Sequence, residues 1–185
     1  MTPRMASERS DSGEVRIDKI CELIVESKFG IHDISRLKAE NDGDYYRLNM
    51  PFEFGIDYAL KRYGSEQHKQ KQLLILSSKP YDYHVSFSDI SGMDIKSHNN
   101  NPIKAICEVR NWFYETAGIK NPEEYFVIWF RYLDFLTYLE SKLEEKGLNQ
   151  QQAIETLKVT PIKEFIDLGK DWIQNPPSSE LTIDR

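Results

Sequence analysis

FGIHDIS at 29–35 and QLLILSS at 72–78 set the fold class of this chain. Each is short, apolar and closed off by polar residues. In the second, Leu73, Leu74, Ile75 and Leu76 follow one another without the polar alternation of a sheet that faces water on one side. Such a run suits a strand covered on both faces, the usual state of a parallel sheet. The first reads as a buried strand that ends near Asp33 and Ser35, where charge begins.

Outward from these strands the pattern turns helical. Ile17, Ile20, Cys21 and Ile24 recur at helix spacing, which predicts a helix over 14–27 with Asp11 or Ser12 as its cap. Residues 36–48 carry Asn-Asp-Gly-Asp turn chemistry and are expected to form a surface loop. Pro51 favours a first helical turn, and Phe52, Ile56, Ala59, Leu60 and Tyr63 make one apolar face before Gly64, so the next helix is expected to carry Glu53 in its first turn. Helix, strand, helix, strand is the order of a parallel α/β layer. Residues 79–101 read as irregular, with a turn of helix around Tyr83–Asp89 and a short strand at Met93–Ser97. Ile103, Ile106, Val109 and Phe113 then predict a helix over 102–117 behind Asn99 or Asn101.

The segment 122–146 is crowded with Tyr125, Phe126, Trp129, Phe130, Tyr132, Phe135 and Tyr138, spread over more than one helix face. A helix apolar on most sides is buried or covered by a partner. Helices at about 149–158 and 161–174 follow, split by Thr160-Pro161. The expected organisation is an α/β domain over 1–118, a helical extension over 119–176, and a mobile tail over 177–185.

The totals exclude several classes. A chain of 185 residues with 39% hydrophobic and 29% charged content, nine Phe and ten Tyr suits a globular fold rather than a disordered or membrane protein. A net charge of −6 argues against duplex nucleic acid, which needs a clustered basic surface. Cys21 and Cys107 make no metal-ligand or CxxC spacing and are expected to be buried free thiols. With a polar start, no 18-residue apolar run and no sign of disulfides, the expected location is the cytoplasm, with no membrane partner.

NMPFEFGIDYAL at 49–60 is the candidate for chemistry. In an open parallel sheet, ligands gather at the carboxyl ends of the strands, where loops lead into helix starts. A Glu53 carboxylate there suits attack on, or stabilisation of, an oxocarbenium-like sugar carbon. The plainer role is complementing the helix dipole. Gly55 inside this helix suggests a close approach to the backbone. Asp33, at a strand end, is placed to hold a ribose hydroxyl or to move a proton to a leaving base; the alternative is a cap for the loop that follows. His32 is expected on the sheet surface as a satisfied polar residue or a substrate contact, and no second His or Cys stands at metal-ligand spacing. Asp57 lies on the face of Glu53 one turn later, as a site residue or part of a solvated acidic face. Arg47 and Asn49 flank the same turn and suit a phosphate or sugar hydroxyl, or the loop itself. GxSxG, Walker and GxGxxG patterns are absent.

Taken in order, GEVRIDKI, FGIHDISR, RLNMPFEFGIDYALKRYG and LLILSSKPYDYHVSFSDISGMDI resemble a family of uncharacterised bacterial proteins over roughly residues 3–115. That family is similar to nucleoside 2-deoxyribosyltransferase-like and TIR-like proteins, whose strand-end Asp and helix-borne ELG Glu match Asp33 and Glu53, the motif reading Glu53-Phe54-Gly55 here. The resemblance implies a flavodoxin-like (Rossmann-like) three-layer parallel sheet. It also implies cleavage or transfer of an N-glycosidic bond in a nucleoside, or in NAD as substrate, with no cofactor required. Glu53 would act at the anomeric carbon and Asp33 would position the sugar. Relatives of this kind include phage-defence proteins that consume NAD. The family's usual opening strand and FVNCPFD-like loop have no counterpart in this sequence, so the sheet is expected to be incomplete at the N-terminus, to rearrange, or to borrow a strand from another copy. A start site chosen downstream of the true one would produce the same sequence. The competing expectation is a non-catalytic nucleotide-sensing or homo-oligomerising module built around the aromatic helix.

Overall fold

The computed structural model describes residues 3–37 and 48–177. The chain divides into two compact units, Gly13–Ile128, and Trp129–Arg185 together with Met1–Ser12. The division falls later than the expected boundary at 118, and the N-terminal segment belongs with the C-terminal helices.

The unit 13–128 is a mixed α/β structure around an open, three-stranded parallel sheet, β1 (Phe29–Asp33), β2 (Gln72–Ser77) and β3 (Lys96–Ser97), in the spatial order β1-β2-β3. β1 and β2 pair from Phe29 opposite Gln72 to Asp33 opposite Leu76, and β2 continues onto β3 with Leu76 opposite Lys96. β3 is shorter than the expected 93–97 strand, because Ser88–Ile90 and the turn after it carry the chain up to Lys96.

The unbroken aliphatic run of β2 is buried on both sides. Leu74 and Leu76 pack with Phe29 and Trp112 against α4 (Pro102–Glu115), whereas Ile75 faces Ile34, Leu37, Phe54, Tyr83 and Ile90 on the side of α2 (Asn49–Tyr63). Successive strand residues point to opposite faces, so a sheet sandwiched between helices needs apolar side chains at every position. Leu37, expected in a surface loop, is instead buried in this core; residues 38–47 of that loop lie outside the described residues.

α1 (Arg16–Glu26) buries Ile20, Leu23 and Ile24, but Val15 rather than Asp11 or Ser12 occupies its cap, without a side-chain bond. α2 begins before Pro51, behind Leu48. Glu53 is therefore the fifth helical residue, beyond the first turn in which the helix-dipole argument applies. The basic connector after α2 contains a short helix, α3 (Glu66–Lys69), capped by Ser65. Asn101 caps α4, its side-chain oxygen accepting from the Ile103 and Lys104 amides at 2.9 and 3.2 Å. Cys21 and Cys107 are free and half-buried rather than fully buried.

The second unit contains most of α5 (Tyr125–Glu144), with α6 (Gln150–Val159) and α7 (Ile162–Gln174). Phe135, Leu139 and Trp172 form its core with Phe165 and Leu157. Phe126, Phe130 and Tyr132 of α5 are exposed, in keeping with aromatics on more than one face of the helix. Among the described residues no helix is long and apolar enough to cross a membrane. Of the expected tail, residues 178–185 lie outside the described residues.

Candidate functional site

α2 runs antiparallel to β1. Its Asp57 meets His32 in the middle of the strand, while Phe54, one turn earlier, packs with Ile34 and Leu37 beyond the strand's end. The start of α2, with Asn49 and Glu53, therefore lies toward the carboxyl edge of the sheet, where Asp33 closes β1. This is the arrangement in which parallel α/β folds place ligands.

Asp33 is held in a defined orientation. Its Oδ1 accepts from the Ser35 backbone amide at 2.9 Å and from the Ser35 hydroxyl. Ser35 Oγ also lies 2.8 Å from His98 Nε2, and that nitrogen is 3.5 Å from Asp33 Oδ2. With Ser35 donating to the carboxylate, the bond closes on the imidazole when His98 carries its proton on Nε2 and donates to Ser35. The Asp33 side chain keeps 50% of its surface exposed, so the carboxylate remains partly open to solvent. His98 is buried and tied to β2 by its own amide, which donates to the Ser77 carbonyl at 3.1 Å. Ser78 Oγ reaches the Ser35 carbonyl at 3.5 Å. The ends of all three strands thus converge behind Asp33.

Glu53 is half-buried, and among the described residues it has no hydrogen-bond or ion-pair partner. Asn49 is exposed at the first position of α2. Arg47 lies outside the described residues.

Two expected site residues are elsewhere. Asp57 is only 2% exposed, neither on a solvated acidic face nor open to a substrate. Its Oδ2 lies 3.0 Å from His32 Nε2 and its Oδ1 3.2 Å from Lys71 Nζ. The latter contact is an ion pair without hydrogen-bond geometry. Lys71 is equally buried; it donates to the Ile24 carbonyl at 2.6 Å and to the Ser27 carbonyl. His32 is buried and lies edge-on to Phe54, 5.6 Å between ring centres, rather than on the sheet surface. A charge taken from water needs a partner, and these three residues supply one another inside the unit as a structural cluster. The close backbone approach expected at Gly55 occurs at Gly30 instead. A Cβ there would collide with Asp57 Oδ2 and with Leu73, whereas at Gly55, apart from its chain neighbours and the nearby backbone of its own helix, no described atom would lie within 4 Å of one.

The sequence reading missed Ser35, His98 and Lys71. Ser35 stands two residues from Asp33 and was legible as an Asx-type turn partner. His98 is 63 residues from Ser35, and only the pairing of β3 with β2 brings it across. No group of His, Cys, Asp and Glu suited to a metal ion occurs among the described residues. No family model, curated protein or solved structure matches the chain.

Proposed function

We propose that this chain cleaves or transfers the N-glycosidic bond of a nucleoside or NAD-like substrate, on a flavodoxin-like fold. The reading rests on one observation: Asp33 is oriented by Ser35, half exposed at the carboxyl edge of a parallel sheet, and the helix starting at that edge carries a Glu53 that no described residue engages. In this reaction the C1′–N bond breaks and its electron pair leaves with the base. A Glu53 oxygen bonds to C1′ or stabilises its positive charge, and water or the ring nitrogen of a free acceptor base then takes the sugar. Asp33 holds a ribose hydroxyl or serves the leaving base through Oδ2, while Ser35 keeps Oδ1 turned inward.

Chromatography of bases and nicotinamide released from a panel of nucleosides and NAD tests the reading. Glu53→Gln is expected to lower release on the order of 10³-fold or more, and a full-length protein inert across the panel at high enzyme concentration rejects it. A second reading, a nucleotide-sensing or assembly module, draws on the exposed Phe126, Phe130 and Tyr132 of α5. Binding of a nucleotide without turnover would select it.

A further inference from the structure

β1 is an edge strand: it pairs with β2 on one side, and among the described residues no strand lies on the other. The flanking bonds determine which backbone groups face that open edge. The Gln72 amide donates to the Lys28 carbonyl at 3.1 Å and the Ile34 amide donates to the Leu76 carbonyl at 2.8 Å. In a parallel ladder alternate residues make both of their bonds to the same neighbour, so Lys28, Gly30, His32 and Ile34 serve β2. Phe29, Ile31 and Asp33 turn their N–H and C=O groups outward. Ile31, at the centre, also exposes 41% of its surface, because α4 covers β2 and Phe29 but does not extend over it.

We infer that this edge pairs with the same edge of a second copy, β1 against β1 in antiparallel orientation about a two-fold axis through Ile31. The free groups sit at alternate residues placed symmetrically around Ile31, so the edge is its own complement. Ile31 meets Ile31, and Phe29 meets the second copy's Asp33, with about six backbone hydrogen bonds across the axis. Charge agrees with this register. The Lys28 ammonium lies over the Phe29 ring, 5.3 Å from its centre, and Phe29 stands directly opposite the second copy's Asp33, whose carboxylate is half exposed. Each copy thus brings a lysine toward the other's strand-end aspartate, twice by symmetry. A two-fold pairing also closes on itself, removing the open edge in place of propagating it into fibres. The joint forms a continuous six-stranded sheet and carries Lys28 to the edge of the site that holds Asp33. This pairing stands whether or not the site turns over a nucleoside.

Sedimentation and light scattering of the 185-residue chain over about 1–200 µM test it. The expected result is a reversible monomer–dimer equilibrium within that range. Ile31→Lys, at an exposed position, should yield a monomer with an unchanged circular dichroism spectrum, and Ile31→Val should leave the dimer intact. Lys28→Glu, on an exposed side chain, should weaken the dimer about tenfold or more; it decides the matter if Ile31→Lys fails to fold. A chain monomeric throughout the range, a dimer that survives a folded Ile31→Lys, or one indifferent to Lys28→Glu overturns the pairing.

Discussion

Replacing Lys71 by Met removes the ammonium from the most deeply buried ionic cluster of the 13–128 unit while keeping the length and much of the volume of the side chain. Lys71 and Asp57 are each 2% exposed, with 3.2 Å between Nζ and Oδ1. Without the ammonium, Asp57 keeps only His32, at 3.0 Å. Removing one partner of a buried pair costs about 3–5 kcal/mol, since the remaining charge stays out of water. The Ile24 and Ser27 carbonyls at the end of α1 also lose the Lys71 donor; Ile24 keeps the Ser27 amide at 3.3 Å, so its loss falls at the low end of the about 1–3 kcal/mol for a carbonyl that water does not reach. Ser27 is half-buried, so water takes over part of that bond, and the total expected loss is about 4–6 kcal/mol. Domains are stable by only about 5–15 kcal/mol, so the variant should sit near the edge of folding.

The measurement is urea unfolding followed residue by residue in the 13–128 unit, since Trp129 and Trp172 report on the other unit. Asp57→Asn supplies the second arm of a double-mutant cycle. In that background Lys71→Met should cost about 2 kcal/mol less than in the native chain. A loss below about 1 kcal/mol, or two substitutions that simply add, would show that the ammonium does not neutralise Asp57.

Two further outcomes are expected. Asn101→Ala removes the cap of α4 and should destabilise the 13–128 unit by about 1 kcal/mol in the same unfolding measurement, with Asn101→Asp largely neutral. Hydrogen bonds from Lys163, then from Lys170, hold the Asp167 carboxyl below the usual carboxylate range. Its contribution to stability is therefore present above the ordinary carboxylate pKa and is lost as pH falls through the lower folded value. In an NMR titration, Lys163→Met should move the Asp167 midpoint upward, and an unmoved midpoint would remove Lys163 as the main cause.

Much of the architecture was legible from pattern alone because it depends on local period and composition. The aliphatic run at 73–76, the helix-spaced residues of α1 and α4, and the Asn-Pro start of α4 each specify their element within a few neighbours. Asp33 at a strand end and Glu53 near a helix start were likewise placed toward the carboxyl edge by element order. The start of α2 and the fate of its carboxylates were not readable in this way. Pro51 suits a first turn, yet helical backbone begins at Asn49, and the shift carries Glu53 beyond the first turn.

Asp57 shows the limit most clearly. In sequence it is one turn from Glu53 and equally acidic. In the fold, Gly30 leaves room beside β1 for Asp57 to enter the core, where His32 and Lys71 receive it. His98 reaches Ser35 only through the pairing of β3 with β2. Local pattern along the chain specifies which segments become strands and helices, since those preferences are properties of near neighbours. Tertiary structure alone decided which polar side chains were buried as partners and which were left open to a ligand, because burial and pairing arise between residues that the chain keeps far apart until it folds.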